Sequence, residues 1–241
     1  MIILKGWFGR LGNNIIQLSN IIDIALTYKH NIVFQVNHRF FNIKIIQNHF
    51  NQYKNNKTIT DKFNFYYKNK LKYSNEIFKV NKEKRNKILK EAFLINDINK
   101  LNEDDLIIHI RSGDIFSLNP HPNYVPPPLS YYTKQIDKYK YKKIIIVCED
   151  RVNPVINKLL ELYENSIYKK NNLIDDIRIL LGASNIIFSV GTFVPSLMLL
   201  SENIKYLYGN SFDNKDLKYY YEVMKPWKNT KQQRDYIITY N

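Results

Sequence analysis

The stretch L-I-I-H-I-R-S-G-D-I-F, residues 106–116, contains a predicted strand and a predicted ligand-binding loop. Its first residues, 106–108, form an apolar run typical of a buried strand in a parallel sheet. The run is followed by His109, Arg111, Gly113 and Asp114. Open α/β sheets bind ligands beyond the carboxyl ends of their strands. The stretch therefore predicts a site where a cation, a glycine and a carboxylate meet.

Each of these residues suits a different part of a binding site. Arg111 offers a planar fork of donors that matches a phosphate. Gly113 can adopt a positive φ and let the backbone approach a ligand. Asp114 can accept a proton or hold a hydroxyl group. The alternative interpretation is a polar turn in which Arg111 and Asp114 form a surface ion pair, and one short motif does not decide between the two.

Composition limits the classes of protein and of partner. A chain of 241 residues forms one large or two small domains, and an apolar fraction of 44% is enough for a core. The net charge of +14 favours acidic partners: nucleic acid, an anionic membrane or a phosphorylated small molecule. The lysines are scattered and form no basic arm or nucleic-acid fingerprint. We therefore interpret them as solvated surface and predict no nucleic-acid partner.

Cysteine and histidine usage argues against a metal centre or a disulfide framework. The chain has one cysteine, Cys148, and five histidines, none at metal-ligand spacing. No metal and no cofactor are predicted. The N-terminus lacks the pattern of a signal peptide, and no apolar run approaches the ~20 residues of a membrane-spanning helix. These features predict a soluble, cytoplasmic protein without a transmembrane segment.

The N-terminal residues predict a β-loop-α-β unit. An apolar run at 1–4 precedes the glycine-punctuated loop G-W-F-G-R-L-G-N-N, a helical pattern at 14–28 and a strand at 31–36. A loop at a helix N-terminus can bind an anion through free N–H groups and the helix dipole. The spacing of Gly6, Gly9 and Gly12 is neither the dinucleotide fingerprint nor a Walker loop. The alternative is a tight turn in which the glycines serve geometry only.

Strands and helices alternate along the rest of the chain. Strands are predicted at 143–148, 185–188 and 205–208, and helices at 82–98, 129–139, 153–163, 173–183 and 194–200. Residues 40–81 predict irregular structure and short helices. Residues 117–128 predict an extended proline-rich segment, which forms either one wall of a cleft or a linker docked on the surface. The tail after residue 218 gives no strong signal. The alternation predicts an α/β fold with mostly parallel sheets. We expect two Rossmann-like halves that face a cleft, at residues 1–105 and 106–241.

Three motifs in this order resemble the fucosyltransferase superfamily, whose fold is GT-B-like. G-R-L-G-N-N at 9–14 is similar to the family's G-[GR]-[LF]-G-N-Q loop, and H-I-R-S-G-D at 109–114 to its H-x-R-x-G-D phosphate-binding motif. Asp176 with N-I-I-F-S-V-G-T-F at 185–193 resembles the block D-x(6–7)-C-x-x-x-I-I-x-N-S-T-F. The sequence departs from the pattern at Asn14 (usually Gln), Ala183 (usually Cys), Val190-Gly191 (usually Asn-Ser) and Val194-Pro195 (usually a Trp pair). The arrangement also resembles relatives in large DNA viruses and microbes, some of which transfer other sugars.

The resemblance implies an inverting, metal-independent glycosyltransferase that transfers L-fucose from GDP-fucose to a glycan hydroxyl. It assigns the donor's β-phosphate to Arg111, the donor's phosphates or sugar to Asn13, and the acceptor or pyrophosphate to Arg10. It assigns the nucleotide base, or the orientation of its loop, to Asp176. The residues expected to bind the nucleotide sugar are Arg10, Gly12, Asn13, His109, Arg111, Gly113, Glu149, Asp176, Ser189, Gly191, Thr192 and Phe193.

The chemistry of such a transfer adds a catalytic set. Arg111 and backbone N–H groups would stabilise the charge that develops on the leaving diphosphate. The acceptor hydroxyl needs a base. Asp114 is the first candidate and His121 the second, with a rigid turn residue as the alternative for His121. Glu149 and Asp150 come third.

Two other functions stay open. The first is a glycosyltransferase of the same fold that uses another nucleotide sugar, such as one that carries xylose or rhamnose. The second is a non-enzymatic module that binds carbohydrate or nucleic acid, which the charge and the 19 tyrosines suggest. The expected partners of an enzyme are a nucleotide-sugar donor and a glycan acceptor.

Overall fold

A computed structural model of the chain describes residues 1–54, 58–61, 64–66, 81–209 and 217–241. The chain divides into two compact units. Unit 1 comprises Met1–Asp97 and Pro195–Leu200, and unit 2 comprises Ile98–Val194 and Ser201–Asn241. The sequence prediction places the division at residue 105. The arrangement of two halves around a cleft stays a prediction.

Unit 1 contains a parallel sheet of three short strands in the order β2-β1-β3. Its elements are β1 (Ile2–Leu4), α1 (Leu11–Tyr28), β2 (Ile32–Phe34), α2 (Ile43–Asn48), β3 (Ile59–Asp61), a 3-10 turn (Asn64–Tyr66) and α3 (Lys82–Ala92). The predicted β-loop-α-β opening is confirmed. The prediction of irregular structure for residues 40–81 falls partly outside the described residues, at 55–57, 62–63 and 67–80.

Helix α1 is held to unit 1 by an apolar stripe. Ile15, Leu18, Ile22 and Ala25 are fully buried and follow the three- and four-residue spacing that puts side chains on one helix face. The helix ends at Lys29, which adopts the left-handed conformation and donates its backbone N–H to the Ala25 carbonyl. The stripe explains why this helix could be predicted from sequence.

Unit 2 contains a parallel sheet of five strands in the order β6-β5-β4-β7-β8. The strands are β4 (Asp105–His109), β5 (Lys143–Val147), β6 (Ser166–Lys169), β7 (Asn185–Phe188) and β8 (Tyr206–Gly209). The predicted α/β fold with parallel sheets is confirmed. The order follows the doubly wound Rossmann pattern, which reverses direction between β4 and β7. Ligands in such sheets bind at this switch point, beyond the carboxyl ends of the two strands.

The central strands are almost entirely apolar because both faces of the sheet are covered. Residues 106–108 of β4 and 144–147 of β5 are buried. The covering helices of this half are α4 (Leu129–Ile136), α5 (Pro154–Leu162), α6 (Leu173–Gly182), α8 (Lys218–Met224) and α9 (Lys231–Thr239), while α7 (Phe193–Leu197) starts in unit 2 and ends in unit 1. In the parts of the chain that the structure describes, no helix combines the length and apolarity needed to cross a membrane.

The C-terminal tail, whose sequence carries no strong structural signal, packs against the core of unit 2. Trp227 lies between α8 and α9, is 1% exposed and donates its ring N–H to the Ile115 carbonyl at 2.6 Å. Tyr220 donates its hydroxyl to the Pro126 carbonyl at 2.8 Å. The tail therefore fixes the chain that follows the β4 loop, and it docks the proline-rich segment onto the core.

Replacing Trp227 should destabilise unit 2 strongly. Trp227→Ala removes a buried aromatic ring and leaves the Ile115 carbonyl without its donor, so we expect a loss of about 3–5 kcal/mol in the free energy of unfolding. Chemical denaturation followed by circular dichroism measures this loss. Tyr219→Ala on α8 is the control, because Tyr219 is 65% exposed and its loss should cost less than about 0.5 kcal/mol. Equal effects of the two substitutions would contradict the assignment of Trp227 to the core.

Candidate functional site

Three loops meet at the switch point of the five-stranded sheet. They follow β4, β5 and β7, which are neighbours, and parallel strands place their carboxyl ends at the same edge. The predicted residues at this edge are His109, Arg111, Gly113, Asp114, Glu149, Ser189, Gly191 and Thr192. Stretches of sequence that are far apart therefore contribute to one candidate site in unit 2.

The backbone of Arg111 is fixed by side chains from the segments that follow both neighbouring strands. Its N–H donates to the Ser189 hydroxyl at 2.7 Å, and its carbonyl accepts from the Asn153 side-chain amide at 3.1 Å. Ser189 and Asn153 are both buried. The Ser189 backbone N–H also donates to the His109 carbonyl at 3.0 Å, which continues the pairing of β4 with β7. The geometry gives Ser189 a positioning role, and its contact with the nucleotide stays a prediction.

The Arg111 side chain is held on three sides. Its Nε and Nη2 donate to the two oxygens of Asp114 at 3.2 and 2.8 Å, and its guanidinium carbon lies 4.2 Å from the centre of the Tyr124 ring. On a third side, a Cβ atom at Gly191 would lie 3.0 Å from Nη1. Burial alone would lower the pKa of Arg111, but the hydrogen bonds and charge of Asp114 outweigh it and the pKa is raised. Arg111 is therefore a permanent cation in a defined orientation.

The Arg111–Asp114 pair is the ion pair of the alternative sequence interpretation, but it is not an ordinary surface pair. The Arg111 side chain is 14% exposed, whereas that of Asp114 is 52% exposed. Because both Asp114 oxygens accept bonds from Arg111, the first candidate for the base is committed to the guanidinium in this structure. Its predicted role as base requires that this pair opens.

Asp150 supports the loop that follows β4. One of its oxygens accepts from the Ser112 hydroxyl, from the Gly113 N–H at 3.4 Å and from the Val152 N–H at 3.0 Å. Burial alone would raise the pKa of Asp150, but these bonds outweigh it and the pKa is lowered. A carboxylate that is so stabilised in its charged form is a weak proton acceptor. The geometry argues against Asp150 as the base.

Gly113 has the positive φ that the sequence interpretation anticipated, at +53°. A Cβ atom there would collide with the Glu149 carboxylate. Glu149 is exposed and lies over this turn, at the carboxyl end of β5. Of Glu149 and Asp150, the third choice for the base, Glu149 is the more exposed residue.

His109 is an uncharged residue of the site. Burial and the charge of Arg111 lower the pKa of His109 to about 4, so the ring is neutral near pH 7. Its ring centre lies 5.5 Å from that of Phe193. His109 can therefore pack against a ligand or form a hydrogen bond, but it cannot neutralise a phosphate.

His121 fits the rigid-turn interpretation. Its Nδ1 accepts from the Asn123 N–H at 3.2 Å, and its ring lies 5.0 Å from the Tyr124 ring, centre to centre. From this bond we assign the proton of the neutral ring to Nε2. The lone pair that a base would use is thus engaged, which makes His121 a poor candidate.

Asp176 lies in the first turn of α6 and is half buried. Burial raises the pKa of Asp176, and the neighbouring charges of Asp175 and Glu149 add to the rise, while a hydrogen bond of 3.1 Å from the Asn171 amide opposes it.

The thiol of Cys148 is buried and its pKa is raised to about 12, so it is unreactive. In the described ranges, no group of three or more His, Cys, Asp or Glu side chains could hold a metal ion.

The remaining predicted residues, Arg10, Gly12 and Asn13, belong to unit 1. They lie at the start of α1, where Arg10 is the N-cap residue. Gly9 has a φ of +69°, and a Cβ atom there would collide with the Asn13 amide. Asn14, which replaces the family's Gln, donates to the Phe8 carbonyl at 3.0 Å and bonds to His38 at 3.2 Å. Asn14 therefore holds the loop in place.

Sequence reasoning missed several residues that position Arg111. Asn153 caps α5 and reaches back to the Arg111 carbonyl, and the Tyr124 ring lies against the guanidinium. Tyr131 donates its hydroxyl to the Phe188 carbonyl at the end of β7, at 2.8 Å. The Asn-Pro pair at 153–154 is a recognisable helix-start signal. Tyr124 and Tyr131 carry no such signal, because their partners are distant in sequence.

Comparisons with known proteins give similar solved structures only. The structure aligns with POFUT1 in complex with GDP at a TM-score of 0.49 and 11% identity, over 86% of this chain and 97% of that chain. It aligns with NodZ alpha-1,6-fucosyltransferase soaked with GDP-fucose at a TM-score of 0.45 and 8% identity, over 83% and 92%. No protein-family model and no curated protein matches the sequence. Similarity of this size establishes neither family membership nor activity.

Gly191→Ala should destabilise the protein through the loop after β7. Gly191 has a φ of +107°, which a side chain rarely adopts, and the added methyl would press on Arg111. We expect a loss of about 1–3 kcal/mol in the free energy of unfolding. Denaturant titration measures it. The matched control is Gly6→Ala, where a Cβ atom would meet nothing within 4 Å, and the prediction is wrong if both substitutions cost the same.

The lowered pKa of His109 should make stability depend on pH. The unfolded chain binds a proton below pH 6.5, whereas the folded chain keeps this ring neutral down to about pH 4. Stability should therefore fall with decreasing pH across this window, by up to about 1.4 kcal/mol per pH unit. His38, whose pKa burial also lowers to about 4, contributes in the same direction. Unfolding titrations at several pH values should show a smaller slope for His109→Gln, and an unchanged slope would contradict a neutral His109 in the folded protein.

Proposed function

We propose that this protein is an inverting, metal-independent glycosyltransferase that transfers a sugar from a nucleoside diphosphate to a glycan hydroxyl, with GDP-fucose as the first-choice donor. The observation that carries the proposal is the place of Arg111. It follows the central strand of a doubly wound sheet at the switch point, within the motif H-I-R-S-G-D, and its backbone is fixed by Ser189 after β7 and Asn153 at the start of α5.

The chemistry of the leaving group supports this role. Breaking the bond between sugar and diphosphate builds negative charge on the diphosphate oxygens. A fixed guanidinium stabilises that charge without having to reorganise during the reaction. Gly191 has no side chain, which lets the loop after β7 pack closely against Arg111 Nη1. The site therefore presents a positive charge in a fixed orientation, with Nε and Nη2 as the edge that receives an anion.

Recognition of the nucleotide base is assigned to Asp176, with His109 as a neutral partner. Guanine presents two adjacent N–H donors, which match the two oxygens of one carboxylate, whereas uracil presents one such donor. The raised pKa of Asp176 reflects a carboxylate that lacks enough donors for its burial, and guanine would supply them. GDP should accordingly be preferred to UDP.

Two carboxylates remain as candidates for the base that deprotonates the acceptor hydroxyl. The lone pair of His121 and the oxygen of Asp150 are engaged by backbone N–H groups. Glu149 is exposed beside Gly113, and Asp114 is half exposed but paired with Arg111. We assign the role to Asp114 once Arg111 has bound the donor, and Glu149 is the alternative.

A thermal-shift panel of GDP, UDP, ADP and CMP, each with and without EDTA, tests the proposal. A ligand at about 100 times its Kd stabilises the folded state by about 2.7 kcal/mol, which raises Tm by several degrees. We expect GDP to give the largest rise, EDTA to leave it unchanged and Arg111→Ala to abolish it. Arg234→Ala is the control, because it removes the same charge from an exposed position on α9.

The outcomes separate the competing functions. A preference for UDP would keep the phosphate role of Arg111 and change the donor to another nucleotide sugar. No shift with any nucleotide would overturn the glycosyltransferase proposal in favour of a binding module. Transfer from GDP-fucose to a panel of glycans, with the anomeric configuration of the product read by NMR, would then identify the acceptor and test inversion.

A further inference from the structure

We infer that Asp114 is an internal competitor for the phosphate-binding edge of Arg111, so that an anionic ligand binds by displacing it. That the anion is a diphosphate rests on the proposed function. That Asp114 competes with it rests on the geometry of the Arg111–Asp114 pair. A carboxylate and a phosphate each present two oxygens to a guanidinium fork, and both prefer the two-bond arrangement. Asp114 already occupies the Nε and Nη2 edge in that arrangement, at 3.2 and 2.8 Å.

The two partners of this ion pair are held very differently. Arg111 is anchored through Ser189 and Asn153 at its backbone and lies against Tyr124 and Gly191 with its side chain, of which 14% is exposed. Asp114 follows in the short 3-10 turn Gly113–Phe116, and 52% of its side chain is exposed. Asp114 is therefore the partner closer to solvent, and Arg111 is the more enclosed and more firmly anchored one.

Tyr124 allows the exchange to occur without loss of the Arg111 orientation. Its ring centre lies 4.2 Å from the guanidinium carbon, within the range of a cation–π contact. The Asp114 oxygens accept from Nε and Nη2 and take no part in the contact with the Tyr124 ring. Replacing one anion by another at Nε and Nη2 therefore leaves the Tyr124 contact in place.

The competition should weaken anion binding by a measurable factor. The apparent Kd of a ligand rises by the inverse of the fraction of molecules whose site is open. An ion pair of the strength usual for partly exposed groups leaves a minority of sites open, which corresponds to about a fivefold penalty. Removing the charge of Asp114 should remove the penalty. If Asp114 instead served to orient Arg111 for the ligand, removing it would weaken binding, so the two roles predict opposite signs.

The test is isothermal titration of inorganic pyrophosphate and of GDP into four proteins: wild type, Asp114→Asn, Asp114→Asn combined with Arg111→Ala, and Asp235→Asn. Asn has nearly the shape of Asp but no charge. We expect Asp114→Asn to bind pyrophosphate about fivefold more tightly than wild type, and the double variant to lose this gain. Asp235→Asn is the control, because it removes the same charge from an exposed ion pair with Lys231 on α9. Its Kd should stay within about twofold of wild type.

An unchanged or weaker affinity in Asp114→Asn would overturn the inference, as would the absence of pyrophosphate binding in both wild type and Asp114→Asn. A gain that persists in the double variant would also overturn it, because the competition acts through Arg111. The proposed function is tested separately by the preference for GDP over pyrophosphate in wild type. Loss of that preference would contradict the proposal that the ligand is a nucleotide. The effect of Asp114→Asn on the Kd of pyrophosphate would still show whether Asp114 competes for Arg111.

Discussion

The fixed backbone of Arg111 is the constraint on which the described site depends. Two buried side chains, the Ser189 hydroxyl after β7 and the Asn153 amide at the start of α5, bond to its N–H and its carbonyl. Each bond satisfies a main-chain group that would otherwise be costly to bury. The loops after β5 and β7 therefore cannot move away from the loop after β4 without leaving polar groups unpaired. Rigidity at the switch point follows from main-chain hydrogen bonding, before any charge is considered.

The sequence predicts the central strands of unit 2 well, but it does not predict how the C-terminal tail packs against them. Strands such as β4 and β5 are continuous apolar runs because both faces are covered, and such runs are visible in sequence. The tail combines short helices with tyrosines that follow no clear period. Trp227 is buried by a contact with Ile115, which is 112 residues away in the chain. Local patterns describe what a segment prefers, whereas the burial of this residue depends on which distant segment it meets.

The same distinction applies to the site. The residue types at the ends of β4 and β7 predict where charges and glycines gather, and Gly113 and Gly191 have the positive φ that suits such turns. Pairing is not visible in sequence. Glu149 and Asp150 are adjacent, yet Asp150 accepts bonds from Ser112, Gly113 and Val152, while Glu149 is the more exposed of the two residues. Likewise, the low pKa of His109 comes from burial, which a sequence motif does not report.

A cation that is kept ready for an anionic ligand needs a counter-charge when the ligand is absent. Arg111 is mostly shielded from water, and an unpaired charge in such a place is costly. Solvent alone compensates it poorly, so a carboxylate three residues away is a natural partner. Any partner that stabilises the empty site also opposes the ligand, because both use the same donors. In a preorganised anion site built on a shielded arginine, a partner that stabilises the empty site therefore lowers the affinity for the ligand. Because Asp114 is half exposed, its pairing with Arg111 is weak enough for a phosphate to displace it.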